Sequence, residues 1–118
     1  MIEKKLELTQ LFDFYGELLT EKQQEVLSLF LIEDYGHVEI GETMAISRQA
    51  VYDTIKTCDR QLHEFEQKLG LVAKHIERRA RLEGLLHKLE AAARTAQALE
   101  HRETLAEAMA EIEEILVL

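Results

Sequence analysis

Proline is absent from this chain, and glycine occurs only five times in 118 residues. Proline inside a helix removes a donor and clashes with the preceding turn, and glycine there costs about 1 kcal/mol relative to alanine. With so little to interrupt helices, an all-α fold is expected. The single cysteine excludes an intramolecular disulfide and a multi-cysteine zinc site. No apolar run is long enough for a signal peptide or a membrane span, and the chain opens with charge in Met1-Ile2-Glu3-Lys4-Lys5. A cytoplasmic protein with no membrane insertion is therefore expected. A phosphate-binding glycine loop, a catalytic dyad and a cofactor fingerprint are all missing, which argues against an enzyme and against a cofactor. The histidines (His37, His63, His75, His87 and His101) include no pair at the spacing a helix-borne metal site needs, so no metal is expected.

Apolar and charged residues are plentiful by contrast, at 47% and 31%. That is enough apolar matter for a core, and unlike a disordered chain. The length fits one compact domain, or a small domain with an extension. Positive charge is scarce: the formal net charge is -9. Residues 1–70 carry 7 Lys/Arg against 14 Asp/Glu, residues 71–88 carry 5 against 2, and residues 89–118 carry 2 against 7. A nonspecific nucleic-acid binder normally shows a basic face and a basic total. This chain lacks the total.

The spacing of Leu8, Leu11, Phe12, Tyr15 and Leu18/Leu19 predicts a first helix from Glu3 to Leu19. Thr20-Glu21-Lys22-Gln23 matches a capping box and starts a second helix, with Val26, Leu27, Phe30 and Leu31 on its buried side. Asp34-Tyr35-Gly36 reads as a turn, with Gly36 supplying a positive φ. A short third helix, about His37 to Thr43, faces Ile40 and Met44 inward, and Gly41 permits a close helix crossing. Ala45-Ile46 then forms a tight turn, Ile46 plugs the core beneath it, and Ser47 caps a helix that begins at Arg48. A short helix, a tight turn and a capped second helix outline a helix-turn-helix, which presents its second helix to the DNA major groove.

The fourth helix carries Val51, Ile55, Cys58, Leu62, Phe65 and Leu69 in alternating steps of four and three. Cys58 on this stripe reads as a small core residue rather than a nucleophile. Val72 and Ile76 continue the pattern past Gly70. Either Gly70 caps one helix before Leu71 opens the next, or one long helix crosses it at a cost of about 1 kcal/mol; a break or bend is the favoured reading. Leu82, Leu85, Leu89, Ala92, Ala96 and Leu99 form a further series, about three heptads of coiled-coil seam. Leu105, Met109, Ile112 and Leu116 resume one residue early, which predicts a turn near Glu100–Glu103 and a final helix to Leu118. The expected organisation is a helix-turn-helix domain over residues 1–70 and a helical dimerisation region over residues 71–118.

Several segments carry a resemblance to a known family. They are Leu11-Phe12-Asp13-Phe14-Tyr15, Leu18-Leu19-Thr20-Glu21-Lys22-Gln23, Asp34-Tyr35, Glu39-Ile40, the run from Ser47 to Lys56, and Lys68-Leu69-Gly70. They resemble the YlxM family of bacteria, small helical proteins whose helix-turn-helix is similar to the fourth region of RNA polymerase sigma factors. The resemblance is close over Tyr15 to Gly70 and holds in helical character beyond. It implies an N-terminal bundle similar to sigma region 4 followed by a helical hairpin or coiled-coil extension. Genes of the family commonly neighbour those for the signal recognition particle protein and its receptor, which implies a DNA-binding regulator of that pathway. The most specific motif is Ser47-Arg48-Gln49-Ala50-Val51-Tyr52-Asp53. Two positions depart from the pattern. Gly36-His37 stands where typical members have a serine, and Thr57-Cys58 follows Lys56 where members are often more basic.

If the fourth helix enters a major groove, Arg48 and Gln49 bond guanine and adenine edges, and Ser47 with its neighbouring amides holds a phosphate. Tyr52, Lys56 and Arg60 follow at four-residue steps, on an exposed stripe suited to phosphate contacts. The competing reading leaves Ser47 as a cap only, Arg48 and Gln49 solvated, and Tyr52 packed on the third helix, with Asp53 and Asp59 repelling phosphate. Lys74, Arg78, Arg79 and Arg81 are the basic patch, with 74, 78 and 81 on one helix face. RNA, DNA or an acidic protein surface suits it; ion pairing with Glu64, Glu66 or Glu77 is the plainer alternative. Leaving the Leu82–Leu99 seam in water would cost several kcal/mol at ~25 cal/mol per Å². A homodimer is therefore expected, together with an intrachain hairpin of residues 72–99 and 104–117. Two functional classes remain: a DNA-binding regulator, or a protein- or RNA-interaction module of the signal recognition particle pathway.

Overall fold

A computed structural model describes residues 2–95 and 98–117. The helices are α1 (Ile2–Tyr15), α2 (Glu21–Leu31), α3 (His37–Met44), α4 (Arg48–Leu69), α5 (Leu71–Thr95) and α6 (Leu99–Leu116), with a 3-10 turn over Gly16–Leu18. Among the described residues there is no strand, and no helix is long and apolar enough to cross a membrane. The protein is all-α. It divides into two compact units, Met1–Val72 and Ala73–Leu118.

In the first unit, α1 stops at Tyr15 rather than running to Leu19. The cause is local. Gly16 sits against the Phe12 ring, where a Cβ would come within 2.9 Å, and the chain tightens into the 3-10 turn. That turn buries Leu19 and leaves Leu18 61% exposed. Thr20 then caps α2 as the capping box predicts: its Oγ accepts from the Gln23 amide at 3.2 Å, and Gln23 Oε1 accepts from the Thr20 amide at 3.0 Å. Between α2 and α3 the positive φ falls on Asp34 (φ 59), not on Gly36. Aspartate tolerates this region better than most residues, and Lys5 Nζ donates to its Oδ1 at 2.6 Å. Gly36 instead precedes α3 in an extended conformation, its amide donating to Glu39 Oε1 at 3.2 Å.

α4 is the spine of this unit. Its Cys58 and Leu62 pack with Leu8, Leu11, Tyr15, Leu19 and Leu27 in one cluster. Val51 packs with Val26 and Ile40 in a second cluster, and Ile55 touches both. Each of these aliphatic side chains contributes about 1.5–3 kcal/mol by leaving water. Burial pushes the Cys58 thiol up to about 11, consistent with a core residue. Leu69, the last position of the predicted stripe, is 47% exposed. His63 links α4 to α1: its Nδ1 lies 2.8 Å from the Asp59 carbonyl and its Nε2 3.0 Å from Glu7 Oε1. Those two acceptors, the carbonyl foremost, raise its pKa against the opposing effect of burial.

The helix breaks at Gly70, which takes a left-handed conformation (φ 62, ψ 27) and donates its amide to the Glu66 carbonyl at 2.8 Å. Two side chains then satisfy the first amides of α5. Tyr15 Oη accepts from the Leu71 amide at 3.0 Å, and Glu66 Oε1 accepts from the Val72 amide at 3.0 Å while also receiving the Tyr15 hydroxyl. A carboxylate at a helix start is favoured by the helix dipole. Burial, and then the Glu66 hydrogen bond, raise the Tyr15 pKa. The stability this phenol contributes is therefore complete below pH ~10 and is lost as pH rises through its folded value. Tyr15→Phe keeps the ring packed on Phe65 (centroids 5.9 Å apart) but orphans the Leu71 amide. It should lower stability by about 1–2 kcal/mol in urea unfolding. An unchanged midpoint would show that water replaces the hydroxyl.

The second unit is a helical hairpin of α5 and α6. Half-buried Leu82, Leu86, Leu89 and Ala93 form the apolar stripe of α5, and half-buried Leu105, Met109, Ile112 and Leu116 that of α6. Both stripes step by four, three and four. Arg79 donates to the Leu116 carbonyl and pairs with Glu83 at 3.2 Å. Here the sequence-based seam needs correction. α5 ends at Thr95 and α6 begins at Leu99 behind Ala98, so the turn comes earlier than Glu100–Glu103, which is helical. Glu100 and Glu103 stand near the N-terminus of α6, where the helix dipole favours them. Leu99 thus lies on a different helix from Leu82, Leu85, Leu89 and Ala92, and is 69% exposed. Ala96, also assigned to the seam, and Leu118, the expected helix end, lie outside the described residues. α6 buries no residue, and α5 buries only Val72, which belongs to the first unit.

Candidate nucleic-acid interface

The α3–α4 turn is closed by short-range constraints. Ala45 is left-handed (φ 56, ψ 44) and ends α3, while the Ile46 amide donates back to the Gly41 carbonyl at 3.0 Å. Gly41 is needed at this crossing: a Cβ there would stand 2.8 Å from the Ile46 carbonyl oxygen. Ile46 and Met44 pack against the Val26–Ile40–Val51 cluster. Ser47 Oγ accepts from the Ala50 amide at 3.0 Å, capping α4. With Val51 fully buried, the opposite side of the first turns of α4 must face outward.

That side carries the predicted residues. Ser47, Arg48, Gln49, Tyr52, Lys56 and Arg60 are all exposed. Gln49 Nε2 donates to Asp53 Oδ1 at 3.0 Å, and Arg60 lies 3.9 Å from Glu64, a weak contact. Arg48 and Lys56 have no ion-pair partner among the described residues. Tyr52 is half exposed; its ring lies 6.1 Å from that of His37, which in turn stands edge-on to Phe30 at 5.7 Å. His37, Arg48, Gln49 and Tyr52 line a shallow concavity.

Lys4, Lys5, Phe30 and His37 border this face, and the sequence places none of the four there. A groove of about 400 Å³ runs beside it between α1 and α4, its lining including Lys4, Lys5, Phe30, His37, Tyr52, Lys56 and Asp59. Lys5 Nζ lies 4.5 Å from the Phe30 ring centroid, a cation–π distance. The one available signal was the adjacent Lys4-Lys5 pair in an otherwise acidic segment. Negative charge collects elsewhere: Glu21, Glu25 and Glu33 flank Leu29 and Met44 in a separate groove of about 560 Å³ between α2 and α3.

The second basic patch is less unified than its sequence suggests. Lys74, Arg78 and Arg81 are exposed, whereas Arg79 is held by Glu83 and the Leu116 carbonyl. A 100° step per residue puts Lys74, Arg78 and Arg81 within about 60° of one another, and Arg79 on the far side. Among the described residues, no group of three His, Cys, Asp or Glu side chains could hold a metal ion.

A short helix, a left-handed turn and a capped, outward-facing second helix define a helix-turn-helix protein. The profile of UPF0122, described as "Putative helix-turn-helix protein, YlxM / p13 like", matches residues 2–104, and the chain belongs to this family. It is 42% identical over 108 residues to UPF0122 protein Teth514_1714 of Thermoanaerobacter sp. (strain X514), covering 92% of this chain and 86% of the relative. It is 49% identical over 78 residues to UPF0122 protein BH2485 of Halalkalibacterium halodurans, covering 66% and 72%. With UPF0122 protein lin1916 of Listeria innocua the identity is 44% over 91 residues, covering 77% and 79%. The family resemblance seen in the Ser47–Asp53 motif is borne out.

Proposed function

We propose that this protein is a cytoplasmic DNA-binding regulator that reads a duplex through the first two turns of α4. One observation carries the reading: Arg48, Gln49, Tyr52 and Lys56 are all exposed on a capped helix whose other side is locked into the core. Arg48 would bond the O6 and N7 of guanine. Gln49 would exchange its Asp53 contact for an adenine edge. Tyr52, Lys56 and Arg60 contact phosphates, which orient the protein without carrying sequence information. The YlxM resemblance supports a regulated process within signal recognition particle targeting.

Arg48→Ala should weaken binding to a duplex selected by the protein from a random pool by roughly 5- to 150-fold, the weight of one bidentate base contact. Fluorescence anisotropy measures this directly. If the protein enriches no duplex even at low salt, the reading is wrong.

The acidic groove favours a second reading, a protein-interaction module. Glu21, Glu25 and Glu33 around Leu29 and Met44 suit a basic, amphipathic segment of a signal recognition particle component. RNA suits that groove poorly, since like charges repel. In either reading the protein works as a homodimer. A two-helix hairpin whose helices, past Val72, bury no residue falls short of what a small unit needs to be stable alone. A second copy covering Leu85 and Ala92 supplies the missing contact.

A further inference from the structure

We propose that the groove between α1 and α4 is a second nucleic-acid contact, in which Lys4 and Lys56 grip the phosphate backbone of the strand flanking α4. The inference rests on the duplex reading above and extends it to a helix the recognition motif does not include. Three observations support it. Lys4, at the N-terminal end of α1, and Lys56, on α4, line one groove although 52 positions apart in sequence. Neither has an ion-pair partner among the described residues, so their charge is uncommitted. The groove also shares His37 and Tyr52 with the concavity that holds Arg48 and Gln49. A strand that follows the recognition face therefore passes directly into it.

Lys5 has a different part. Its ammonium is already 2.6 Å from Asp34 Oδ1 and stacked over Phe30, so it neutralises an aspartate beside the groove rather than binding phosphate itself. Asp59 is the one carboxylate among the described residues that line the groove, and it opposes the anion. The half-exposed Tyr52 ring offers a flat surface for a sugar. A duplex is the partner this geometry favours over an acidic protein, because the cations line a continuation of a helix placed for base contact. Phosphates at regular spacing are the ligand that continues along such a line.

The test compares salt dependence. The probe is a labelled duplex enriched from a random pool by the wild-type full chain, titrated by anisotropy from about 50 to 200 mM potassium chloride. Each neutralised phosphate contributes about 0.9 to the slope of log affinity against log salt. Lys4→Ala and Lys56→Ala should each flatten the slope by roughly that amount, so that affinity falls about 3.5-fold less across the range. The preferred sequence should be unchanged, and Asp59→Asn should bind more tightly than wild type. Both lysines are exposed, and circular dichroism checks that the variants remain folded. If the wild type binds in an Arg48-dependent way but neither lysine variant alters the slope, the groove assignment is overturned and the recognition-helix reading stands. If the wild type binds no duplex, both are overturned together.

Discussion

Gly41→Val should open the helix-turn-helix. At this position a Cβ would meet the Ile46 carbonyl oxygen at 2.8 Å, with the Ser47 carbonyl carbon and the Arg48 amide next nearest at 3.7 Å. All three are backbone atoms, so no side chain can swing away to relieve the contact. The turn must retreat from α3, which breaks the Ile46-to-Gly41 hydrogen bond and lifts Ile46 off the Val26–Ile40–Val51 cluster. Overpacking and the lost bond together amount to about 2–4 kcal/mol, a large part of the stability of a small domain. The expected result is a clearly lower denaturant midpoint and loss of any binding that depends on Arg48. Gly41→Ala carries the same Cβ, partly offset by about 1 kcal/mol of better helix propensity. It should still be less stable than wild type; an equal or higher midpoint would show that the crossing is not held at this distance.

Leu85→Glu combined with Ala92→Glu should convert a dimer into a monomer, read by light scattering as a fall from the mass of two chains to that of one. These residues lie seven apart and so share one face of α5. Both are exposed, whereas Leu82, Leu86, Leu89 and Ala93 are half-buried in the hairpin. The substitution therefore charges the outer face and leaves the inner stripe intact. Leu89→Glu is the informative contrast, since it should loosen the hairpin itself and lower helicity by circular dichroism. If the double variant keeps the mass of two chains, the outer face is not the seam; if the wild type is monomeric at all concentrations, there is no dimer to explain.

Much of the architecture could be read from the sequence because its determinants are short-range. The Thr20 capping box, the Ser47 cap and the break at Gly70 depend on residues within four positions of one another, and each appears where the sequence puts it. The stripe of Val51, Cys58 and Leu62 was equally legible, because helix periodicity alone places those side chains on one face. Legibility failed where two local solutions compete at similar cost. Asp34 and Gly36 can both supply an unusual turn conformation, and the contact from Lys5, 29 positions away, holds the left-handed Asp34. The start of α6 was not legible because no proline or glycine marks it, and the register slip before Leu105 shows that the helix is interrupted without showing where.

The sequence by itself determined that this protein is helical, where most helices begin, and that α4 presents Arg48 and Gln49 outward; the exposure of Tyr52, open between two readings, was decided by the fold. Tertiary structure alone decided which distant charges share a surface. Lys4 and Lys56 line one groove, Arg79 turns to the Leu116 carbonyl away from its basic neighbours, and the glutamates of α2 gather in a groove of their own. A net charge of -9 is a sum over the whole chain, whereas a ligand responds to the charges within about one Debye length, ~10 Å. Helix crossing angles and packing set those distances, and the order of residues along the chain does not.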